Sequence, residues 1–390
     1  MLTVLLILFP IVAVLLFFAI PTSSARTVAL GASIVEFALA IFAYTTRVSD
    51  PQSTLLSTKV PWIETAGIWF NVHMDGISTL MVLLTTVLVP LIIWSSFGNI
   101  IKNAKAFYSL ILLMEAALIG VFVAKDGFLF YVFWELALIP IYFICLLWGG
   151  EGRARITFKF FLYTLFGSLF MLAALIYIYL QTPTHSFDIE DLYQAGRALD
   201  CTKQCVLFWA LFLAFGIKMP VFPFHTWQPD TYTNAPTQGT MLLSGIMLKM
   251  GTYGLLRWLL PLVPMGWSCQ GKTAMTLSVI SIVYASCIAI VQKDFKRMIA
   301  YSSIAHVGLI AAGLLAFNVQ GVQGALIQMV SHGINVVGLF YICDIIMTRT
   351  QTSNMTNMGG IRGVAPQFAL LFLIILLGSV ALPLDRKSVV

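Results

Sequence analysis

Twelve long apolar runs, almost free of charge, occupy residues 2–20, 27–46, 76–97, 106–124, 127–148, 156–180, 204–224, 236–258, 273–292, 298–317, 321–348 and 364–384. Each is close to the ~20 residues that an α-helix needs to cross a bilayer. The runs are continuous, whereas membrane barrel strands alternate over about ten residues. They predict an all-α, polytopic transmembrane helix bundle with about twelve spans. Charged residues are only 10% of the chain and hydrophobic residues 59%. That balance excludes a soluble globular enzyme, a disordered chain and a nucleic-acid binder. The net charge of +6 belongs to loops beside a lipid bilayer rather than to a phosphate-binding face. The first run, LTVLLILFPIVAVLLFFAI, has no basic segment before it and no cleavage site, so it reads as a retained span.

Orientation follows from the basic residues of the loops. Odd-numbered loops hold 11 Lys and Arg, among them Lys102, Arg153, Lys159, Lys296 and Arg297, against 7 in the longer even-numbered loops. The odd loops are expected in the cytoplasm and the N-terminus outside, which places 47–75 and 181–203 outside as well. A short internal similarity links GVFVAKDGFLF at 120–130 with IAIVQKDFKRM at 288–298, an offset of 168 residues. Internal repeats are common in ion-coupled transporters.

The chain has six cysteines but no C-x-x-C, and neither a G-x-G-x-x-G nor a Walker A motif. Nothing in it therefore suggests an iron–sulfur, zinc or nucleotide site. Cys201 and Cys205 read as part of a polar loop, able to pair in an oxidising space or to act as small apolar filler.

Ionisable groups inside the spans are the informative ones, since each costs at least ~2.5 kcal/mol at the bilayer centre. Glu135 is followed by Pro140, which removes a backbone donor and opens a kink beside the carboxylate. Lys218 lies among Gly216, Pro220 and Pro223, a density of breakers that predicts a discontinuous helix. Glu135 and Lys218 read as a switchable buried pair, each tolerated as a charge only beside the other. Lys249 sits among Gly239, Ser244, Gly245 and Gly251, small residues that allow close helix approach or water entry. His306 and His332 fit a proton relay, because imidazole gives and takes protons near neutral pH. Glu115 is a weaker member of this network, and Glu36 and Asp344 read as packing or assembly groups. His225 and Asp230 are too few for a metal site and read as shaping the turn after the broken helix.

Three segments carry a family resemblance: FYVFWELALIPIYFICLLWGG; AFGIKMPVFPFHTWQPDTYTNAPTQGTMLLSGIMLKMGTYGLLRW; and QKDFKRMIAYSSIAHVG with QMVSHGIN. Together they resemble the antiporter-like subunits of respiratory complex I, NADH:quinone oxidoreductase. The FWE-x-x-LIP form around Glu135 is similar to subunit M, called chain 4 in mitochondria and chloroplasts, rather than to subunits L and N. The resemblance runs from the first span to about Leu384. It implies two inverted five-helix repeats with broken helices, and a division into N-terminal helices (1–99), a first repeat and half-channel (100–258) and an incomplete second repeat (270–390). It implies proton translocation through Glu135, Lys218, Lys249, His306 and His332. It also implies that NADH, FMN, iron–sulfur clusters and quinone reside in partner subunits, so that no cofactor, metal or redox centre belongs to this chain. The expected partners are the L-like and N-like antiporter subunits, and the expected location is a bacterial inner membrane. The alternatives are a subunit of a multi-subunit Na+/H+ antiporter or of a membrane-bound hydrogenase. After GSVALPL the family continues into a second broken helix bearing an acidic group, whereas this chain reads DRKSVV. Asp385, Arg386 and Lys387 would lie at the membrane surface, and the tail resembles an interrupted reading frame with an unfinished second half-channel.

Overall fold

The computed structural model describes residues 1–98, 101–316 and 318–380. The tail that contains Asp385, Arg386 and Lys387 lies outside the described residues. Apolar runs with good helix formers and no water to hydrogen-bond their backbone must become helices. The chain opens with α1 (Leu2–Leu16) and α2 (Ala25–Ser49), followed by α3 (Gly76–Ser95) and α4 (Ala104–Val123). A kinked span follows, α5 (Gly127–Leu136) and α6 (Leu138–Trp148), and then α7 (Arg153–Tyr179). A short polar helix, α8 (Ile189–Ala198), leads into α9 (Cys201–Lys218) and, after a break, α10 (Gln228–Asn234). Among the described residues nine helices are long and apolar enough to cross a membrane. Two apolar helices, α1 among them, are shorter than that.

Three spans depart from simple rods. At Ala137 the helix is interrupted between α5 and α6, three residues before Pro140, which cannot donate to the carbonyl four residues back. The run 204–224 stops being helical at Lys218. The run 236–258 is helical from Thr237 onward but not uniformly α. It comprises α11 (Thr237–Leu242), a π-turn at Leu243–Met247, α12 (Leu248–Gly254), a second π-turn at Leu255–Leu259 and α13 (Leu260–Leu262). The remaining helices are α14 (Pro264–Val291), α15 (Phe295–Leu315), α16 (Val319–Thr350), α17 (Ile361–Val364) and α18 (Pro366–Ser379).

The core lies around α4, whose residues from Ile111 to Val123 are almost all buried and pack against α1, α2, α3 and α5. The outward faces of α2 and α14 carry exposed Ile34, Phe42, Val283 and Ile290, as lipid-facing surfaces require. The internal similarity has a structural meaning. Asp126 and Asp294 are the N-caps of α5 and α15; Asp126 accepts from the N–H groups of Phe128 and Leu129, and Asp294 from that of Arg297.

The sequence reading did not anticipate a hairpin in 47–75. Strands β1 (Ser57–Ile63) and β2 (Ile68–His73) pair antiparallel, from Ser57 opposite His73 to Ile63 opposite Ile68. Gly67 turns the hairpin with φ +61°, and a Cβ there would lie 2.0 Å from the carbonyl oxygen of His185. That closeness joins the two long polar stretches. Lys59 and Asn71 both hydrogen-bond Asp188, at 2.6 and 3.0 Å, and Trp69 N–H donates to Asp126 at 3.0 Å. The stretches 47–75 and 181–203 therefore share one face of the bundle.

Candidate functional site

The break after α9 is built by its prolines. Pro220 has no N–H, so the Gly216 carbonyl accepts from Val221 instead, at 2.9 Å. The Ile217 carbonyl accepts the indole N–H of Trp227 at 2.9 Å. Lys218 is thus the last residue of α9, where the helix dipole favours a cation. It is 2% exposed, and among the described residues its Nζ has no hydrogen-bond partner. The ammonium sits 5.3 Å from the ring centroid of Trp134, beside Glu135 in the chain.

The expected Glu135–Lys218 pair is therefore not a contact ion pair in this structure. The two groups interact electrostatically, and the ammonium also lies over the face of Trp134. Among the described residues one buried carboxylate oxygen of Glu135 has no hydrogen-bond partner, while Ser168 on α7 contributes a hydrogen bond to the group. Gly167, next to Ser168, brings α7 against α9: a Cβ there would lie 2.9 Å from Ile217 and 3.3 Å from Ala214.

A second cluster is fully connected. Lys249, 1% exposed, donates to the Ser244 carbonyl at 2.8 Å, and its Nζ lies 2.7 Å from Nδ1 of His332. Nε2 of His332 lies 3.1 Å from Oγ of Ser303, and the His306 ring centroid is 5.9 Å from that of His332. The two π-turns flank Lys249 and shift carbonyls out of the α-ladder, which fits their frequent use at functional sites. Small residues permit the approach. A Cβ on Gly333 would lie 3.1 Å from the Gly245 carbonyl, and one on Gly245 would lie 2.6 Å from Val337. Gly251 abuts the break itself, with the Phe215 carbonyl 2.8 Å and Met219 N 2.9 Å from where its Cβ would be. A narrow cavity of about 10 Å³, lined by His306, His332, Ser303, Asn335 and Ser379, opens beside the histidines. It is about the volume that one water centre needs.

An ammonium has donors only. When Lys249 is charged, Nδ1 of His332 must accept, and the ring proton is on Nε2, directed at Ser303. If the Lys249 proton crosses to Nδ1, the imidazolium can release its Nε2 proton toward Ser303. The arrangement is chemically able to pass one proton along a fixed line without moving the backbone.

The other expected groups lie elsewhere. Glu115 on α4 faces Glu36 on α2 rather than the Glu135 cluster, and among the described residues none of their four oxygens has a hydrogen-bond partner. Asp344 accepts from Thr237 Oγ1 at 2.5 Å and lines an open groove with Lys102 and Trp148. Asp230 pairs with Lys159 at 3.0 Å and Arg297 at 3.3 Å, tying α10 to α7 and α15, while His225 stacks on Phe222. Both shape the turn. Cys201 and Cys205 are not in a loop; they occupy the first two turns of α9. Sequence reasoning missed Trp134, Ser303 and Lys296. Trp134 was signalled by its place before Glu135 and Ser303 by its place three residues before His306. Buried Lys296, which donates to the Ala235 carbonyl at 2.6 Å, reads in sequence as one more loop cation.

The model of a family described as NADH:quinone oxidoreductase/Mrp antiporter, transmembrane, matches residues 124–387. NADH-quinone oxidoreductase subunit M of Rickettsia conorii is 44% identical over 325 residues, covering 83% of this chain and 66% of that protein. The subunit M of Rhodobacter capsulatus is 40% identical over 370 residues, 92% of this chain and 72% of that protein. The chain thus spans about two thirds of the length of these relatives. A chain of respiratory complex I from Thermus thermophilus with bound NADH superposes with a TM-score of 0.90 at 32% identity, over 98% of this chain and 79% of that one. An archaeal membrane-bound sulfane sulfur reductase shares the fold, with a TM-score of 0.87 at 24% identity over 98% of this chain and 78% of that one. The chain belongs to the NADH:quinone oxidoreductase/Mrp antiporter transmembrane family.

Proposed function

We propose that this chain is the antiporter-like, proton-translocating subunit M of an NADH:quinone oxidoreductase. NADH, FMN, iron–sulfur clusters and quinone act in partner subunits, and the chain carries protons without making or breaking other bonds. The observation that carries the reading is the buried line Lys249–His332–Ser303 with His306 beside it. An imidazole acceptor at 2.7 Å is able to take up the proton that Lys249 gives, which a backbone carbonyl cannot do. Glu135 and Lys218 form the switch on the neighbouring helices: a proton gained by Glu135 removes the negative charge that favours the ammonium of Lys218. The L-like and N-like antiporter subunits flank the chain in a bacterial inner membrane. The N-terminus, the hairpin and residues 181–203 face outward, in keeping with the basic residues of the opposite loops.

The test uses the assembled complex in sealed vesicles, with proton movement measured per NADH oxidised. Lys249→Met and Glu135→Gln should assemble and pump poorly. Normal proton gradients at normal assembly would remove both residues from the path. Pumping that survives a protonophore and requires sodium would make the chain a sodium carrier instead.

A further inference from the structure

We infer that Cys201 and Cys269 form a disulfide that ties the outer end of α9 to α14. Their Sγ atoms lie 2.9 Å apart, and Cys205 Sγ is 3.9 Å from that of Cys201. All three sulfurs lie within 4.8 Å of one another, the only such cluster of possible metal ligands among the described residues.

The two helix starts are already held together at this point by groups other than sulfur. Gln204 Oε1 accepts from Met265 N–H at 2.9 Å and from Gly266 N–H at 3.4 Å, and its Nε2 donates to the Leu199 carbonyl at 2.9 Å. A Cβ on Gly266 would lie 2.4 Å from the Gln204 carbonyl, so only glycine permits this approach. The thiols of Cys201 and Cys269 are thus brought together by a clamp that does not depend on them. Cys201 and Cys205 are one turn apart on one helix, where Cβ atoms are about 5–6 Å apart. That exceeds the ~3.5–4.5 Å a disulfide accepts, so Cys269 is the partner that fits.

The oxidant is a protein or small-molecule disulfide outside the cytosol, where such bonds persist. Exposed Cys269 attacks one sulfur of that disulfide as a thiolate, and a mixed disulfide forms as one thiolate leaves. Cys201 then attacks the Cys269 sulfur and displaces the second thiolate. The two cysteines lose two electrons and two protons, and the oxidant becomes two thiols. The outer end of α9 is then fixed, and Lys218 stands at the other end of the same helix.

The compartment rests on the orientation given under Proposed function; the pairing rests on the geometry. The full chain is expressed with its partner subunits, membranes are quenched in acid, and free thiols are blocked with light N-ethylmaleimide in detergent. After reduction the remaining thiols take heavy N-ethylmaleimide, and peptides are identified by mass. Cys201 and Cys269 should carry heavy label and the other four cysteines light label. The Cys205→Ser variant should keep that pattern, and Cys269→Ser should leave all five remaining cysteines light. Light label on Cys201 and Cys269 overturns the disulfide, as does one zinc or copper ion per chain on three light-labelled thiols. In a separate arm, a membrane-impermeant maleimide applied to reduced spheroplasts should label Cys269. Failure there overturns the orientation, while the heavy and light pattern still decides the pairing.

Discussion

Nζ of Lys249 lies 2.7 Å from Nδ1 of His332, a contact made between helices that approach closely enough only because Gly245 and Gly333 have no side chains. The pair joins a group that is charged when it holds its proton to one that is neutral when it lacks one. The proton's position between them decides which tautomer His332 presents to Ser303. Replacing the imidazole by an amide separates hydrogen bonding from proton transfer. His332→Gln keeps an acceptor for Lys249 but cannot take up its proton. Proton pumping by the assembled complex should fall by about 10²-fold, the usual worth of a positioned proton-transfer group. Lys249→Arg should also impair pumping, since guanidinium does not deprotonate. Pumping at the unmodified rate by either variant would make the pair structural.

Trp134 should matter for Lys218 more than its apolar bulk suggests. Cation–π attraction at a desolvated site is worth about 2 kcal/mol. Trp134→Leu removes it and leaves Glu135 as the group that favours the ammonium, whereas Trp134→Phe retains an aromatic face. Pumping rates should therefore rank Trp, then Phe, then Leu at equal assembly on native gels. Equal rates for Phe and Leu would reduce Trp134 to packing.

Much of this arrangement is legible in the sequence, because the bilayer permits so few solutions. Continuous apolar runs can only be helices, and the prolines around Lys218 can only break one. The identities of Glu135, Lys218, Lys249, His306 and His332 stand out because mid-membrane charge is costly. Their partners do not stand out. Whether Lys218 meets Glu135 or the face of Trp134 depends on side-chain packing between α5 and α9, which leaves no periodicity. The hairpin was hidden because β1 and β2 sit in a stretch whose charges, Lys59 and Glu64, read as loop, while its pairing depends on contact with residues near 185. Glu115 and Glu36 are 79 positions apart, and only the packing of α2 on α4 sets them face to face.

The glycine crossing gives a steric prediction. Gly245→Ala would place its methyl 2.6 Å from Val337 Cγ2, the end of a side chain that can rotate, and Gly333→Ala would place one 3.1 Å from the Gly245 carbonyl, which cannot. Overpacking of this kind costs about 1–3 kcal/mol. Gly333→Ala should lower the thermal unfolding midpoint in detergent and reduce pumping, by lengthening the Lys249–His332 contact. The double variant Gly245→Ala/Val337→Ala should recover stability relative to Gly245→Ala alone. If Gly333→Ala pumps and unfolds like the unmodified chain, close approach is not what sets the contact.

The last prediction concerns the opposite end of the Lys249 helix. Asp75, the N-cap of α3, accepts from Lys125 at 2.8 Å and from Arg257 through the same carboxylate oxygen. The two cations are only 13% and 15% exposed. Burial works against the charge of Asp75, but Lys125 and Arg257 overcome it and hold the carboxyl well below the usual carboxylate range. Asp75→Asn keeps the cap on Ser78 yet leaves two largely buried cations facing one another. Removing one partner of such a cluster costs about 3–5 kcal/mol. Because the folded carboxyl titrates below the unfolded one, its contribution is complete above about pH 4, the ordinary range of Asp, and disappears as the pH falls further. Thermal unfolding of Asp75→Asn should therefore lie well below that of the unmodified chain at pH 7, and the gap should narrow steadily between pH 4 and pH 2. A gap that stays constant on acidification would mean that Asp75 serves only as a neutral cap, and that Lys125 and Arg257 are stabilised by solvent rather than by it.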